Sequence, residues 1–378
     1  MKKKIIFNCT TNTAGGAVQN AVNFIREIYN TYIDSFDWYF LLSKPVSEQL
    51  KDIIINIPHY ISEKTPAHSY FQRKKLNNII KRINPDLVYT SAGPAYMKIK
   101  SFHLMGCSNP YILGVDNSIK KTLFRTFSSR LKRNALTIYQ RHHIKNSDAY
   151  IVQTEHSKNQ LLSVTKNNNV YIIYNSLAKR FYDYSRLQQH NIEYKSYVNS
   201  LKLLIPSAYY QHKNIEIAPL LIKKIKDKYN IDLYITLTIN DIQFKNHIEN
   251  LPSFNLVRNN IINNGPYQHK DALSLYLDHD VILQPSLVEV FSTSYIETIA
   301  VKKPLIAPNL PFVKSIVNNY PLYFHYSSLD ECVDSIYSAS LSLSKKRELS
   351  NYEEYINMYG AQSQRVNKII TLINSILN

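Results

Sequence analysis

Residues 280–309, DVILQPSLVEVFSTSYIETIAVKKPLIAPN, decide the fold of this chain. The apolar run Val281–Leu283 predicts a buried strand, and the loop after it carries Glu289. A serine- and threonine-rich start then predicts a helix over 292–301, and Leu305–Pro308 predicts a second buried strand. Two buried strands joined through a helix are typical of a parallel sheet, so this stretch favours an α/β fold.

An acid stands on each side of the start of this predicted helix. Glu289 lies in the loop, and Glu297 follows eight residues later, about one turn into the helix. The first N–H groups of a helix have no partner within it and attract anions. Two carboxylates around an anion site suit a ligand that combines phosphates with hydroxyls, as a nucleotide-sugar does. Alternatively, Ser294-x-x-Glu297 is a capping box, in which the glutamate only bonds backbone donors.

Length and cysteine content restrict the class of protein. A chain of 378 residues exceeds what one core usually serves, which predicts two domains. The three cysteines lie far apart, which favours neither a disulfide framework nor a metal site and fits a reducing compartment. The apolar run after the opening Met-Lys-Lys-Lys is too short for a signal peptide, and no apolar segment of 18 residues predicts a membrane span.

Positive charge is concentrated in the first half of the chain. Residues 1–200 contain 28 Lys/Arg and 12 Asp/Glu, whereas residues 201–378 contain 17 and 16. This asymmetry indicates an anionic partner for the first half, either a membrane surface or nucleic acid. No signature of a nucleic-acid recognition module is present, so the sequence favours the membrane surface.

The segment 119–145 concentrates this charge, with eight basic residues and no acid. Its apolar and basic residues fall on different arcs of a helical wheel: Leu123, Phe124, Phe127 and Leu131 on one, and Lys121, Arg125, Lys132 and Arg133 mostly opposite. This pattern is typical of a helix that lies on a membrane surface. An ordinary surface helix that packs on its own core has the same pattern.

Strands and helices alternate along the rest of the chain. After a first strand at 4–9, the Gly15-Gly16 loop and a helix to residue 29, strands are predicted at 38–42, 86–90, 111–115, 149–153 and 170–174, with helices at 70–82 and 136–145. Beyond a polar linker at 183–200, strands are predicted at 203–206, 233–238 and 322–324, with helices at 214–229, 271–277 and 366–377. This alternation predicts two consecutive parallel-sheet domains.

Several short motifs, in this order, resemble the GT-B glycosyltransferases of family 4, which are retaining enzymes that use nucleotide-diphosphate sugars. The first half carries Gly15-Gly16, Gln153-Thr154-Glu155 and Tyr174-Asn175-Ser176, and the second half carries Gln211-His212-Lys213-Asn214, Asn264-Gly265, Pro285-Ser286-x2-Glu289-x7-Glu297 and Lys303-Pro304. The glutamate pair in its Pro-Ser context is the specific part of the resemblance, which covers nearly the whole chain.

The resemblance implies an architecture and a boundary for each part. Two Rossmann-like domains would face each other across a cleft, with an acceptor- and membrane-facing domain at 1–190 and a nucleotide-sugar domain at 191–360. A C-terminal helix at 361–378 would pack back on the first domain.

The resemblance also assigns roles to single residues. Glu297 would accept hydrogen bonds from the ribose of the donor, and Glu289 would meet the hydroxyls of the donor sugar beneath its anomeric carbon. The diphosphate would be held by Lys213 and by the amides of the helix start, with help from the Pro-Ser turn and from the first domain. The residues of this phosphate site are Phe291, Ser292, Thr293, Pro285, Ser286, Gly15 and Gly16.

The chain departs from the family pattern at two places. Many members carry an arginine about five residues before the lysine, but here that stretch reads Ser207-Ala208-Tyr209-Tyr210. Members also often have a histidine near the donor sugar. In this chain Asp116 or His103 would take the place of that histidine. Alternatively, both residues have only structural roles. Asn175 is a further candidate for a contact with the sugar or the acceptor.

No metal or cofactor is expected. Asp278-His279-Asp280 resembles the metal-binding D-x-D of another glycosyltransferase fold, but it directly precedes the Pro-Ser motif, and that other fold lacks the glutamate pair. The dinucleotide fingerprint G-x-G-x-x-G is also missing from the Gly15-Gly16 loop.

The expected function is transfer of a sugar from a UDP- or GDP-sugar to a hydroxyl of a glycan acceptor. A polyprenyl-diphosphate-linked acceptor, a bacterial O-antigen or capsule pathway, and a peripheral position on the inner face of the cytoplasmic membrane fit the basic first half; nucleic acid is not expected as a partner. Two alternatives stay open: a non-catalytic basic α/β protein that binds membranes or nucleic acid, and a nucleotide-sugar epimerase of the same fold.

Overall fold

The computed structural model describes residues 2–187, 199–268, 270–343 and 352–378. Contacts divide the chain into two compact units. Unit 1 comprises Met1–Asn175 and Gln362–Asn378, and unit 2 comprises Ser176–Ala361. Within the described ranges, every helix is too short or too polar to cross a membrane.

Unit 1 is built on a seven-stranded, all-parallel sheet with the order β3-β2-β1-β4-β5-β6-β7. Its strands are β1 (Lys4–Asn8), β2 (Asp37–Ser43), β3 (His59–Ser62), β4 (Leu87–Thr90), β5 (Phe102–Gly106), β6 (Ala149–Val152) and β7 (Val170–Ile172). Its helices up to residue 165 are α1 (Gly15–Glu27), α2 (Lys44–Glu48), α3 (Tyr70–Ile83), α4 (Pro110–Leu113), α5 (Asn117–Leu123), α6 (Phe127–Ile144) and α7 (Glu155–Thr165).

Unit 2 repeats this architecture with six parallel strands in the order β10-β9-β8-β11-β12-β13. Its strands are β8 (Ser200–Ile205), β9 (Asp232–Leu237), β10 (Ile261–Asn263), β11 (Val281–Leu283), β12 (Leu305–Pro308) and β13 (Leu322–Phe324). Its helices are α8 (Lys179–Leu187), α9 (Ala218–Tyr229), α10 (Asp241–Phe244), α11 (Ala272–Leu277), α12 (Thr293–Ala300), α13 (Pro311–Val317), α14 (Leu329–Ser342) and α15 (Tyr352–Tyr359).

The last helix, α16 (Gln362–Leu377), returns to unit 1. Its residues Val366, Ile369, Ile370 and Ile373 recur at helical spacing and are buried in the core of that unit. This confirms the predicted fold class: two Rossmann-like parallel-sheet domains and a C-terminal helix that packs on the first of them.

The stretch that opened the sequence analysis folds as expected. β11 and β12 pair in parallel, with Ile282 opposite Leu305, and every residue of both strands is buried. A strand of a parallel sheet is covered by helices on both faces, which explains its uninterrupted apolar run.

The strand predicted at 111–115 is wrong. Pro110–Leu113 forms α4, because the Asn109 side chain accepts a hydrogen bond from the Tyr111 N–H at 3.0 Å and Pro110 occupies the first helical position. The strand of this region is β5, which lies earlier and contains His103. Strands β3 and β10, each four residues or fewer, were also not predicted from the sequence.

The contacts assign α8 to unit 2, although its last residues fall within the linker predicted at 183–200. α8 packs against unit 2 through Phe181, whose ring centroid lies 5.2 Å from that of Tyr276. Residues 188–198 of the predicted linker lie outside the described residues, and the boundary at 190 stays a prediction.

Candidate functional site

Strand order locates the candidate site within each sheet. In both sheets the first strand lies beside the fourth, so the direction of winding reverses between β1 and β4 and between β8 and β11. Ligands of open α/β sheets bind beyond the carboxyl ends of the strands at such a switch point. In unit 2, the loop after β8 carries Lys213 and the loop after β11 carries Glu289.

These two predicted residues meet directly. The Lys213 ammonium forms an ion pair with Glu289 Oε1, and the two side chains are only 15% and 14% exposed. A short 3₁₀ helix, Gln211–Lys213, aims the lysine, and a hydrogen bond of 2.7 Å from the Leu287 N–H to the His212 carbonyl joins the two loops. A cation and an acid 76 positions apart in sequence therefore form one unit at the switch point.

Unpaired hydrogen-bonding groups surround this ion pair. Within the described part of the chain, the N–H groups of Phe291, Ser292 and Thr293 donate no hydrogen bond. Ser292 is the N-cap of α12, and its side chain makes no capping bond. The Ser286 hydroxyl is buried without a partner. Consecutive free N–H groups at a helix start, beside a lysine, are suited to bind an oxyanion.

Glu297 lies one turn into α12 and is only 9% exposed. Its Oε2 accepts a hydrogen bond of 3.0 Å from the Tyr276 hydroxyl. Burial raises the pKa of the Glu297 carboxyl to about 7, although the Tyr276 hydroxyl and the Thr293 side chain act in the opposite direction. Glu297 is therefore a buried acceptor that carries a full charge only above neutral pH.

The capping-box alternative does not describe this helix. α12 begins at Thr293 with Ser292 as its N-cap, so Ser294 lies inside the first turn. The Ser294 hydroxyl donates to the Pro206 carbonyl at 3.4 Å. Glu297 accepts its hydrogen bond from the Tyr276 side chain and not from the backbone donors of a cap.

In unit 1 the predicted glycines lie after β1, at the switch point of that sheet. Gly15 starts α1 with φ of +60°, a conformation that favours glycine. A Cβ built on Gly16 would meet no atom within 4 Å, which leaves open space above the helix start. The buried Oδ1 atoms of Asn12 and Asn175 have no hydrogen-bond partner. Asn12 was not predicted from the sequence.

His103 and Asp116 have structural roles in unit 1. His103 is 1% exposed, its Nε2 lies 2.9 Å from Thr90 Oγ1 and its Nδ1 lies 2.9 Å from the Asn146 carbonyl oxygen. Burial lowers the pKa of His103 to about 4, so the ring is neutral. The exposed Asp116 caps α5 by accepting a hydrogen bond of 2.7 Å from the Ser118 N–H.

The Asp278-His279-Asp280 stretch is also accounted for by the fold. The His279 ring nitrogens each lie 2.7 Å from an oxygen, of the Leu275 carbonyl and of Thr236, and Asp280 accepts a hydrogen bond from the Lys202 N–H at 2.9 Å. Among the described residues, no group of three or more His, Cys, Asp or Glu is placed to hold a metal ion.

The basic segment 119–145 forms two helices, α5 and α6, and not one. Leu123 is buried in unit 1 and Phe124 packs on Tyr111, which corrects the predicted apolar arc. The most exposed apolar residues of α6 are Phe127 (75%), Ile138 (70%) and Leu131 (59%), and Leu136 (41%) and Tyr139 (38%) are also exposed.

The comparisons with known proteins agree with this geometry. Residues 189–354 match the family model described as Glycosyl transferases group 1. A search of curated proteins finds no match.

Three solved structures illustrate the fold. A glycosyltransferase from Rickettsia africae has a TM-score of 0.69 and 19% identity, over 100% of this chain and 99% of its own. The Anabaena Alr3699/HepE protein, in complex with UDP and glucose, has a TM-score of 0.66 and 14% identity, over 99% and 100%. A mutant of S. aureus TarM, in complex with Fondaparinux, alpha-GlcNAc-glycerol and UDP, has a TM-score of 0.64 and 12% identity, over 99% and 100%.

The family match covers most of unit 2, where the ion pair, the free helix start and the buried glutamate lie, and the solved structures share the architecture of both sheets. Residues 189–354 are therefore similar to the group 1 glycosyltransferases, and the chain has the GT-B fold.

Proposed function

We propose that the protein transfers a sugar from a UDP- or GDP-sugar to a hydroxyl of a glycan acceptor, with retention of anomeric configuration and without a metal ion. The observation that carries this proposal is the Lys213–Glu289 ion pair beside the free N–H groups of α12. The UDP and glucose bound to the Anabaena protein are a second support.

Each residue of the site has a task that follows from its position. Lys213 and the N–H groups of Phe291, Ser292 and Thr293 stabilise the negative charge that develops on the leaving diphosphate. Glu289 accepts hydrogen bonds from the sugar hydroxyls, and Glu297 accepts them from the ribose. The leaving phosphate helps to deprotonate the acceptor hydroxyl, so no side chain is assigned as a nucleophile.

A donor screen tests the proposal. UDP- and GDP-sugars are incubated with candidate acceptors, and release of UDP or GDP is followed with and without EDTA. We expect release with one donor class and no effect of EDTA, and NMR of the product should show the donor's anomeric configuration. If neither UDP nor GDP raises the melting temperature, the protein does not bind donors as proposed. If the sugar of the donor is epimerised but is not transferred to an acceptor, the protein is an epimerase.

Glu289→Gln tests the assignment of the site. The variant keeps the shape of the side chain but removes the charge that holds Lys213 and meets the sugar. We expect loss of transfer with an unchanged circular dichroism spectrum. Full transfer by both Glu289→Gln and Glu297→Gln would overturn the assignment.

We further propose that the acceptor is linked to a polyprenyl diphosphate, in O-antigen or capsule synthesis, and that unit 1 binds the inner face of the cytoplasmic membrane. Unit 1 contains 26 Lys/Arg and 10 Asp/Glu, whereas unit 2 contains 19 and 18. The outer face of α6 adds exposed apolar side chains between the exposed cations Lys121, Arg125 and Lys132. Apolar side chains flanked by cations are typical of a helix that lies on an anionic bilayer.

Vesicle flotation tests this binding surface. A variant with Phe127, Leu131 and Ile138 changed to Ser should lose binding to phosphatidylglycerol vesicles. The matched control changes Ile242 and Leu256 to Ser, since these unit 2 residues are 74% and 69% exposed. Equal flotation of the two variants would contradict a membrane-binding role for α6.

A further inference from the structure

The inner flank of α6 carries two arginines that have no counter-charge. Arg130 and Arg133 lie three residues apart and are half-buried. The Nε atom of each is enclosed and donates no hydrogen bond. Among the described residues, neither guanidinium forms an ion pair or a hydrogen bond with another part of the chain, and the enclosed Nε of each has no acceptor.

The surroundings of these arginines supply no acid. Residues 117–147 contain neither Asp nor Glu. The Arg133 guanidinium carbon lies 4.3 Å from the centroid of the Tyr111 ring, which is an aromatic neighbour and not a counter-charge. Desolvation lowers the pKa of Arg133, as expected for a cation without a counter-charge. Like charges at this helical spacing repel each other, and enclosed donors without acceptors destabilise the fold.

More unpaired polar groups continue along the same helix. Gln140 Oε1 and His143 Nδ1 are also enclosed and lack a partner. The His143 ring lies 5.3 Å from the ring of Tyr96, which comes from the loop after β4. Arg73 of α3 lies over the same tyrosine at 5.5 Å. The inner flank of α6 therefore combines cations, amide and imidazole groups, and aromatic rings without an internal partner for the charge.

We propose that Arg130 and Arg133 form a binding site for a phosphate ester. A guanidinium matches the geometry of phosphate oxygens and forms paired, charge-assisted hydrogen bonds with them. A bound phosphate would offset the repulsion between the two cations, because its negative charge would attract both. It would also accept hydrogen bonds from the enclosed Nε donors. This assignment rests on the proposed function, in which the phosphate belongs to the lipid-linked acceptor.

The two faces of α6 then have complementary partners. Phe127, Leu131 and Ile138 lie on the face away from unit 1, and the two arginines lie on the flank against it. A lipid whose chain enters the bilayer beside the outer face would place its phosphate near the surface where the arginines lie. The phosphate could come from a diphosphate-linked acceptor or from a phospholipid headgroup, and two soluble probes distinguish these sources.

The test uses the double variant Arg130→Gln/Arg133→Gln, with Lys81→Gln/Arg82→Gln as the control. The control removes the same charge from exposed positions of α3 in the same unit. Calorimetry measures binding of geranyl diphosphate and of monomeric dihexanoyl phosphatidylglycerol. We expect the double variant to lose at least tenfold in affinity for one probe, and the control to stay within about threefold of the wild type, as free surface charges contribute little.

The outcomes separate this proposal from the proposed function. Stronger binding of geranyl diphosphate indicates an acceptor diphosphate, and stronger binding of phosphatidylglycerol indicates a headgroup; either supports the site if it depends on the two arginines. Binding of neither probe by the wild type, or equal losses in both variants, would overturn it. Arg133→Lys keeps the charge and guards against a folding defect. UDP binding, measured in parallel, reports on the donor site, to which Arg130 and Arg133 do not belong.

Discussion

At the residue scale, the Tyr276 hydroxyl affects the charge of Glu297, the proposed ribose contact. The hydroxyl donates to Glu297 Oε2 at 3.0 Å and so favours the ionised carboxylate, whose pKa burial has raised to about 7. Tyr276→Phe removes that bond and should raise the pKa further. The proposed ribose contact needs the ionised form of Glu297. As the pH is lowered, we therefore expect UDP affinity to begin to fall at a higher pH in the variant than in the wild type.

Calorimetric titration of UDP between pH 6 and pH 9 measures this shift. Tyr355→Phe is the control, since the Tyr355 hydroxyl is also in unit 2 but donates to the Val317 carbonyl and contacts no carboxylate of the site. A merely structural role for Tyr276 would lower affinity equally at every pH. Parallel pH profiles for Tyr276→Phe and the wild type would therefore refute the positioning role.

Burial of Glu297 also makes a prediction about stability. The folded protein holds this proton more tightly than the unfolded chain, because the pKa rises from 4.5 to about 7 on folding. The contribution of Glu297 to stability is full below pH 4.5 and falls by up to ~3 kcal/mol as the pH rises to about 7. The side chain of Glu297→Gln cannot ionise. The free energy of unfolding of this variant, relative to that of the wild type, should therefore increase as the pH rises from 4.5 to about 7.

Urea denaturation at pH 4.5 and pH 8 checks this, with Glu331→Gln as a control because Glu331 is an exposed acid of the same unit. If the difference between Glu297→Gln and the wild type does not change with pH, the carboxyl does not carry the proton assigned to it.

Residue types and spacing predicted Glu289 and the free helix start, because each belongs to a local pattern of strand, loop and helix. Lys213 was predicted only from the family resemblance. Tyr276 and Asn12 could not be predicted in this way. Their roles depend on partners brought close by the tertiary fold, such as Glu297, which is 21 residues away from Tyr276.

At the scale of the element, burial decides which face of a helix is free. The wheel of 119–145 placed Leu123 with Phe127, but a break between α5 and α6 turns Leu123 into the core of unit 1. The apolar run at 111–115 fitted a strand by composition, whereas Asn109 and Pro110 start a helix there. Short apolar runs do not separate a strand from a helix, so these elements needed the structure.

α16 supplies a prediction at this scale. Ile369 is fully buried where α16 closes the core of unit 1. Ile369→Ala should leave a cavity and cost about 2–5 kcal/mol of unfolding free energy. UDP should raise the melting temperature of unit 2, which contains most of the proposed donor site. Calorimetry with and without UDP therefore identifies the transition of each unit, and the loss should appear in that of unit 1.

Leu377→Ala is the matched control for this change, because Leu377 lies at the end of α16 and is only partly buried. A loss as large in the control as in Ile369→Ala would mean that α16 is held by contacts other than its buried stripe.

At the scale of the whole molecule, repetition of one architecture accompanies a division of charge. Both units have a parallel sheet that reverses direction beside its first strand. The alternation of elements was enough to predict the two parallel sheets, but not their strand order. Yet unit 1 carries 26 Lys/Arg against 10 Asp/Glu, while unit 2 is nearly neutral with 19 against 18. Equal folds with unequal charge indicate that each unit has its own partner.

Ionic strength should therefore affect the two partners differently. The screening length falls from about 10 Å at 0.1 M salt to about 3 Å at 1 M, so attraction between exposed cations of unit 1 and an anionic bilayer weakens strongly. The Lys213–Glu289 site is mostly enclosed and is screened less. We expect flotation with phosphatidylglycerol vesicles to be lost between 0.1 and 1 M NaCl, while the dissociation constant for UDP changes by less than about threefold over the same range. Sodium gluconate at equal ionic strength controls for a specific effect of chloride at the phosphate site. If vesicle binding is unchanged at 1 M salt, the apolar face of α6 is sufficient to bind the protein to the membrane. The excess of positive charge in unit 1 would then indicate a different anionic partner.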